Sequence, residues 1–183
     1  MAARFLKWAG FTVMALSTLI AGIFIVGETF SDPGGWKAAG LVAAWAVPLA
    51  ALAALAWYRP GWAGPVFAVL TAAVIGMSIW FVISPRGKGP TDAILTFALA
   101  AAIAVLGLKR TGVAGVLLLI TGIVPFAVSS LVRGHGGFGS LAAVSFAPIV
   151  AGTLYLLSAS IRGGRPAPSA RTDTGPGKLP KAA

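Results

Sequence analysis

The 183-residue chain has no cysteine. Disulfides, thiolate nucleophiles, cysteine-held metals and acylated thiols are therefore excluded. Charge is almost as scarce, at 10% of residues against the roughly 25% that a soluble domain uses to face water. Only four acids are present, Glu28, Asp32, Asp92 and Asp173, together with a single histidine, His135. Zinc chemistry thus lacks a ligand set, and intramembrane proteolysis by paired aspartates lacks its aspartates. No HExxH, P-loop or GxGxxG in a strand-turn-helix setting occurs. The reading is that the chain is not an enzyme and carries no cofactor.

What is present is apolar: 58% of residues are hydrophobic, and the mean hydropathy is +0.93. Too few charges remain to coat a globule, so lipid must solvate most side chains. Lipid offers no partner to a free backbone group, so a crossing segment must be a helix of about 20 apolar residues. Six stretches qualify: Trp8–Gly27, Ala38–Tyr58, Ala63–Ile83, Thr91–Leu108, Gly112–Val132 and Ser140–Ile161. Turn or charge signals separate them, and Asp92 is the only ionisable residue within any. The fourth is short with a polar start, so a full crossing there competes with local thinning of the bilayer or a dip without a full crossing. Fold class is all-α: a polytopic membrane bundle of six transmembrane helices over residues 1–161. Residues 162–183, rich in Pro, Gly, Arg and Lys, read as a disordered basic cytoplasmic tail held near anionic lipid.

The net charge of +10 would point to nucleic acid in a soluble protein, but no basic face with interleaved aromatics exists outside the spans. In a membrane protein the excess reports orientation. With the N-terminus inside, the cytoplasmic set is Arg4, Lys7, Arg59, Lys109, Arg110, Arg162, Arg165, Arg171, Lys178 and Lys181; Lys37, Arg86, Lys88 and Arg133 lie opposite. Both termini are then cytoplasmic. Trp8, Trp36, Trp57, Trp62 and Trp80 stand at span ends as an aromatic belt, and Trp45 alone lies deeper. A cleaved signal peptide is the competing reading of the first span, but the apolar run is long for one and no small-x-small cleavage site follows.

The chain also repeats itself. Trp8-Ala9-Gly10, Trp62-Ala63-Gly64 and Val113-Ala114-Gly115 open the odd-numbered spans, each with a basic residue upstream. Arg59-Pro60-Gly61 aligns with Arg110-Thr111-Gly112, and Ala50, Ala51, Ala53 and Leu55 align with Ala101, Ala102, Ala104 and Leu106. The pattern reads as three parallel helical hairpins, about 8–58, 62–108 and 113–161; alanine-rich helices also match one another by composition alone. Small residues spaced by four form ridges at Ala46, Ala50 and Ala54 and at Ala143, Ala147 and Ala151, fit for close helix contact.

Prolines 48, 125 and 148 fall inside spans. Gly122 and Pro125, one turn apart, mark the expected kink of the fifth. Hydroxyls are scattered, and each can bond to its own helix backbone. One polar constellation stands out: Glu28, Asp32, Asp92 and His135 share the outer face with Arg86, Lys88 and Arg133 in this topology. They form either a site for a cation or headgroup or a set of independently solvated loop charges.

Ala56-Trp57-Tyr58-Arg59-Pro60 followed by Ala63-Gly64 between two apolar spans resembles small multi-pass prokaryotic membrane proteins of unassigned function. The resemblance covers spans two to three and implies a cytoplasmic (inner) membrane location with no activity attached. The function read from the chain is a non-catalytic scaffold or accessory subunit. Its partners are the lipid bilayer and a membrane protein or second copy, with no nucleic acid. The alternative is a small transporter or channel using kinked helices and span hydroxyls.

Overall fold

The computed structural model describes residues 1–31, 35–83, 91–133 and 138–163. These form six helices and no strand: α1 (Ala2–Ser31), α2 (Gly35–Tyr58), α3 (Pro60–Ile83), α4 (Thr91–Gly107), α5 (Thr111–Arg133) and α6 (Phe138–Gly163). Over the described residues, parts of α1 (Ala2–Phe24), α2 (Gly35–Tyr58), α3 (Pro60–Met77) and α6 (Ser145–Arg162) are long and apolar enough to cross a membrane, and α4 and α5 add shorter apolar stretches. Pro60 occupies the first position of α3, where a missing N–H costs nothing.

Turns between helices are tight. Arg59 alone links α2 to α3, and its carbonyl accepts from the Ala63 N–H at 3.0 Å. Arg110 plays the same part before α5, accepting from Ala114 at 3.1 Å. Arg59 and Arg110, which align in the sequence, are thus both residues at which a helix starts. The repeated triplets also share an orientation. Trp8, Trp62 and Val113 face outward, while Gly10, Gly64 and Gly115 are buried.

The hairpins nevertheless occupy unequal places. Helices α1, α6, α5, α3 and α2 form a ring in that order, and α4 runs through its middle with a neighbour on every side. The core is accordingly built on α4, where Phe97, Leu99, Ala100, Ala102, Ile103, Ala104 and Leu106 are all buried. Ala50 and Ala51, which align with Ala101 and Ala102, are instead exposed on α2. The central position also explains why α4 can be short. At 17 residues it is about 25 Å long, and with other helices around it the length mismatch is not presented to lipid.

Outside the core, the molecule is greasy. Leu19, Ile20, Ile23 and Phe24 of α1, Val69 of α3, Val116 and Ile123 of α5 and Phe146 of α6 are all exposed. A water-soluble monomer does not carry an apolar surface of this extent. Exposed tryptophans mark its borders. Trp36 and Trp57 are 21 residues apart on α2, about 32 Å, and Trp62 and Trp80 are 18 apart on α3, about 27 Å. Both spacings match a hydrocarbon layer of about 30 Å.

The small-residue ridges diverge in use. On α6, Ala147 and Ala151 are buried, the latter facing Gly10 of α1. On α2, Ala50 and Ala54 face outward. Helix α5 continues as one segment through Gly122 and Pro125, both buried. Gly122 serves close packing there, since a Cβ would lie 3.1 Å from the Ser145 carbonyl oxygen of α6.

Candidate functional site

Two features combine into the candidate site. The first is a polar knot at one end of the bundle. Ser158 of α6 donates its hydroxyl to the Ala3 carbonyl of α1 at 2.7 Å, and Lys7 of α1 donates from Nζ to the Leu108 carbonyl at 3.1 Å. Leu108 follows the last turn of α4, where carbonyls run out of intrahelical donors and a cation is favoured. The Lys109 ammonium lies 4.7 Å from the ring centroid of Trp57, in the last turn of α2. These contacts bring the start of α1 and the ends of α2, α4 and α6 together. Arg4, Lys7, Arg59, Lys109, Arg110 and Arg162 therefore share one end, and none of the described residues there is acidic.

Just inside this end, Tyr155 locks three helices. It is wholly buried on α6, beside Gly10 of α1 and Gly107 of α4, and its hydroxyl donates to the Ala104 carbonyl at 2.8 Å. A tyrosine buried in an apolar bundle needs such an acceptor.

The second feature is a lateral apolar cleft of about 770 Å³ between α1 and α2, floored by α4. Met14, Thr18 and Gly22 of α1, Leu49 and Ala53 of α2 and Val105 of α4 are among its walls. Its one hydroxyl is already used, because Thr18 donates to the Met14 carbonyl at 2.7 Å. Trp45, the tryptophan that departs from the belts, also lines the cleft and spans the gap between helices. A Cβ on Gly22 would lie 3.7 Å from its ring. Its indole N–H is buried with no partner.

The span hydroxyls behave largely as their chemistry requires. Thr121 donates to Leu117 at 2.7 Å and Thr153 to Ile149 at 2.8 Å, each within its own helix. The Thr71 hydroxyl is buried without a partner. No group of three or more metal-binding side chains occurs among the described residues.

The expected outer polar cluster lies outside the described residues. Asp32 and His135 fall in undescribed segments, and the side chains of Glu28 and Asp92 are not described either. The basic tail beyond Gly163 is outside as well. Sequence reasoning missed the cleft, because it arises from how α1, α2 and α4 pack. Its one signal in the sequence was Trp45, an indole out of place for an interfacial belt. Searches against protein-family models, curated proteins and solved structures find no match to this chain.

Proposed function

We propose that the chain is a six-span protein of the cytoplasmic membrane of a prokaryote, with both termini in the cytoplasm. It acts without catalysis, as a scaffold or accessory subunit for other membrane components. The observation that carries this reading is the position of α4. A channel or transporter keeps a hydrated path or polar site near the bundle axis. Here the described part of the axis is filled by Ala100, Ala102, Ile103, Ala104 and Leu106, all buried, and Thr96 carries the one hydroxyl among the described side chains of α4.

Two further observations support it. The basic end gathers Arg4, Lys7, Arg59, Lys109, Arg110 and Arg162, and a positive-inside bias supports a cytoplasmic position for it. The surface of α2 leaves Val47, Ala50 and Ala54 outward, small enough for another helix to approach.

Reporters fused to the two ends are expected to be active only as cytoplasmic fusions, and an end that reports from the far side removes one crossing. Purified protein in liposomes is expected to pass ions and small solutes no faster than protein-free vesicles. In mild detergent it should copurify with a membrane partner or with itself. Solute flux that scales with the amount of protein overturns the scaffold reading.

A further inference from the structure

We infer that the α1–α2 cleft is a binding site for an anionic glycerophospholipid, with an acyl chain between the helices and the headgroup phosphate at Lys7 and Lys109. The inference rests on the membrane setting of the protein and is independent of its role as scaffold or carrier.

The register of the three lining helices carries the argument. On α1 the cleft face runs Phe11, Met14, Thr18 and Gly22, and Lys7 is one turn before Phe11 on that face. On α2 it runs Trp45, Leu49 and Ala53, and one turn further along is Trp57, whose ring Lys109 covers. On α4 it runs Ala101, Ala104 and Val105, and the next turn brings Leu108, whose carbonyl holds the Lys7 ammonium. All three apolar stripes thus run toward the basic end of the bundle, where Lys7 is held by the Leu108 carbonyl and Lys109 lies over Trp57, with no acid among the described residues of that end.

This is the charge and polarity profile of an anionic lipid in one leaflet. Phe11 to Gly27 spans about 24 Å of helix, more than the leaflet depth of about 15 Å, so the cleft can hold an acyl chain over the full depth of a leaflet. The phosphate then lies level with the lysines while the chain lies against Met14, Leu49 and Ala53. A partner helix fits less well, since its end would also have to supply negative charge at the foot of a groove whose walls are otherwise mostly apolar. The contacts already made by Lys7 and Lys109 hold the two ammonium groups beside the last turns of α4 and α2.

The test uses the full chain in nanodiscs of phosphatidylcholine, titrated with phosphatidylglycerol brominated along its acyl chains. The Trp45 signal is taken as the fluorescence lost in Trp45→Phe, because bromine quenches an indole only on contact. Half-quenching is expected at a mole fraction on the order of tenfold lower for brominated phosphatidylglycerol than for brominated phosphatidylcholine. The double variant Lys7→Gln, Lys109→Gln should erase that difference. Ala53→Leu and Gly22→Leu, which fill the cleft, should weaken quenching by both lipids, and the two substitutions lie on different helices so that either suffices. Millimolar inorganic phosphate should not compete, which separates a lipid from a free anion. Equal quenching by the two lipids overturns the inference, as does a preference that survives loss of both lysines. So does a copurifying polypeptide that shields Trp45 from both.

Discussion

Gly152→Leu is expected to dissociate α6 from α5 and with it the folded bundle, the largest effect of any single substitution considered. These two helices make the most extensive contact in the molecule. They do so through glycines: a Cβ at Gly152 would lie 3.0 Å from the Gly115 carbonyl oxygen and 3.0 Å from the Leu119 backbone nitrogen. Both obstacles are backbone, so no rotamer change can relieve the overlap, and the helices must separate. In lipid, close packing is itself what holds helices together. The cost is therefore set at the upper end of overpacking, at least about 3 kcal/mol. Unfolding in mixed micelles, followed by circular dichroism, measures it. Gly76→Ala on α3 is the control, since nothing lies within 4 Å of that glycine. It should be neutral or stabilising by up to about 1 kcal/mol, because alanine is the better helix former.

The second large effect is at Gly107. A methyl group there would overlap the Tyr155 ring, which Gly10 confines from another side and the Ala104 carbonyl anchors through the hydroxyl. Gly107→Ala should cost about 2–3 kcal/mol in the same titration. Tyr155→Phe keeps the ring and removes only the hydrogen bond, for a loss of about 1 kcal/mol, and should not relieve Gly107→Ala. Tyr155→Val removes the obstacle, so in that background Gly107→Ala should cost close to nothing. The difference is a coupling energy of the size that directly contacting residues show, about 0.5–3 kcal/mol. Additive effects of Gly107→Ala and Tyr155→Val would show that the clash is not what Gly107 avoids.

Much of the fold was legible in the sequence, for a reason specific to lipid. A segment that cannot bond its backbone to solvent must be helical, so hydropathy alone locates the elements. The fifth span expected over Gly112–Val132 is α5, Thr111–Arg133, and the fourth over Thr91–Leu108 is α4, Thr91–Gly107. The first, expected over Trp8–Gly27, runs further at both ends, Ala2–Ser31, because a helix need not stop where hydrocarbon does. Which helix is central was not legible. A side chain touching lipid and one touching another helix are equally apolar, so Leu19 and Ile103 read alike although one is exposed and the other buried. The only hint was size, in Ala100, Ala102, Ala104 and Gly107, which let neighbours close in on α4 from several sides.

The site was less legible still. In the sequence the lysines mark orientation, and the fold adds that Lys7 reaches the end of α4 and Lys109 covers Trp57 on α2. The Lys7 contact with Leu108 joins residues 101 positions apart, for which a single sequence has no short-range signature. The matching triplets show the same limit. Gly10, Gly64 and Gly115 are all buried, but nothing in the triplets tells which helix is central.

Absence of native cysteine makes the central claim directly measurable. Single cysteines placed at Leu19, Val69, Val116 and Phe146 on the outside, and at Ala102 and Ile103 of α4, can each be spin-labelled in a bilayer. The four outer positions should be accessible to dissolved oxygen and shielded from a water-soluble nickel chelate, and the two on α4 accessible to neither. Oxygen access at Ala102 and Ile103 equal to that at Leu19 would contradict a bundle wrapped around α4. Chelate access at the outer four would show that water, and not lipid, covers this surface.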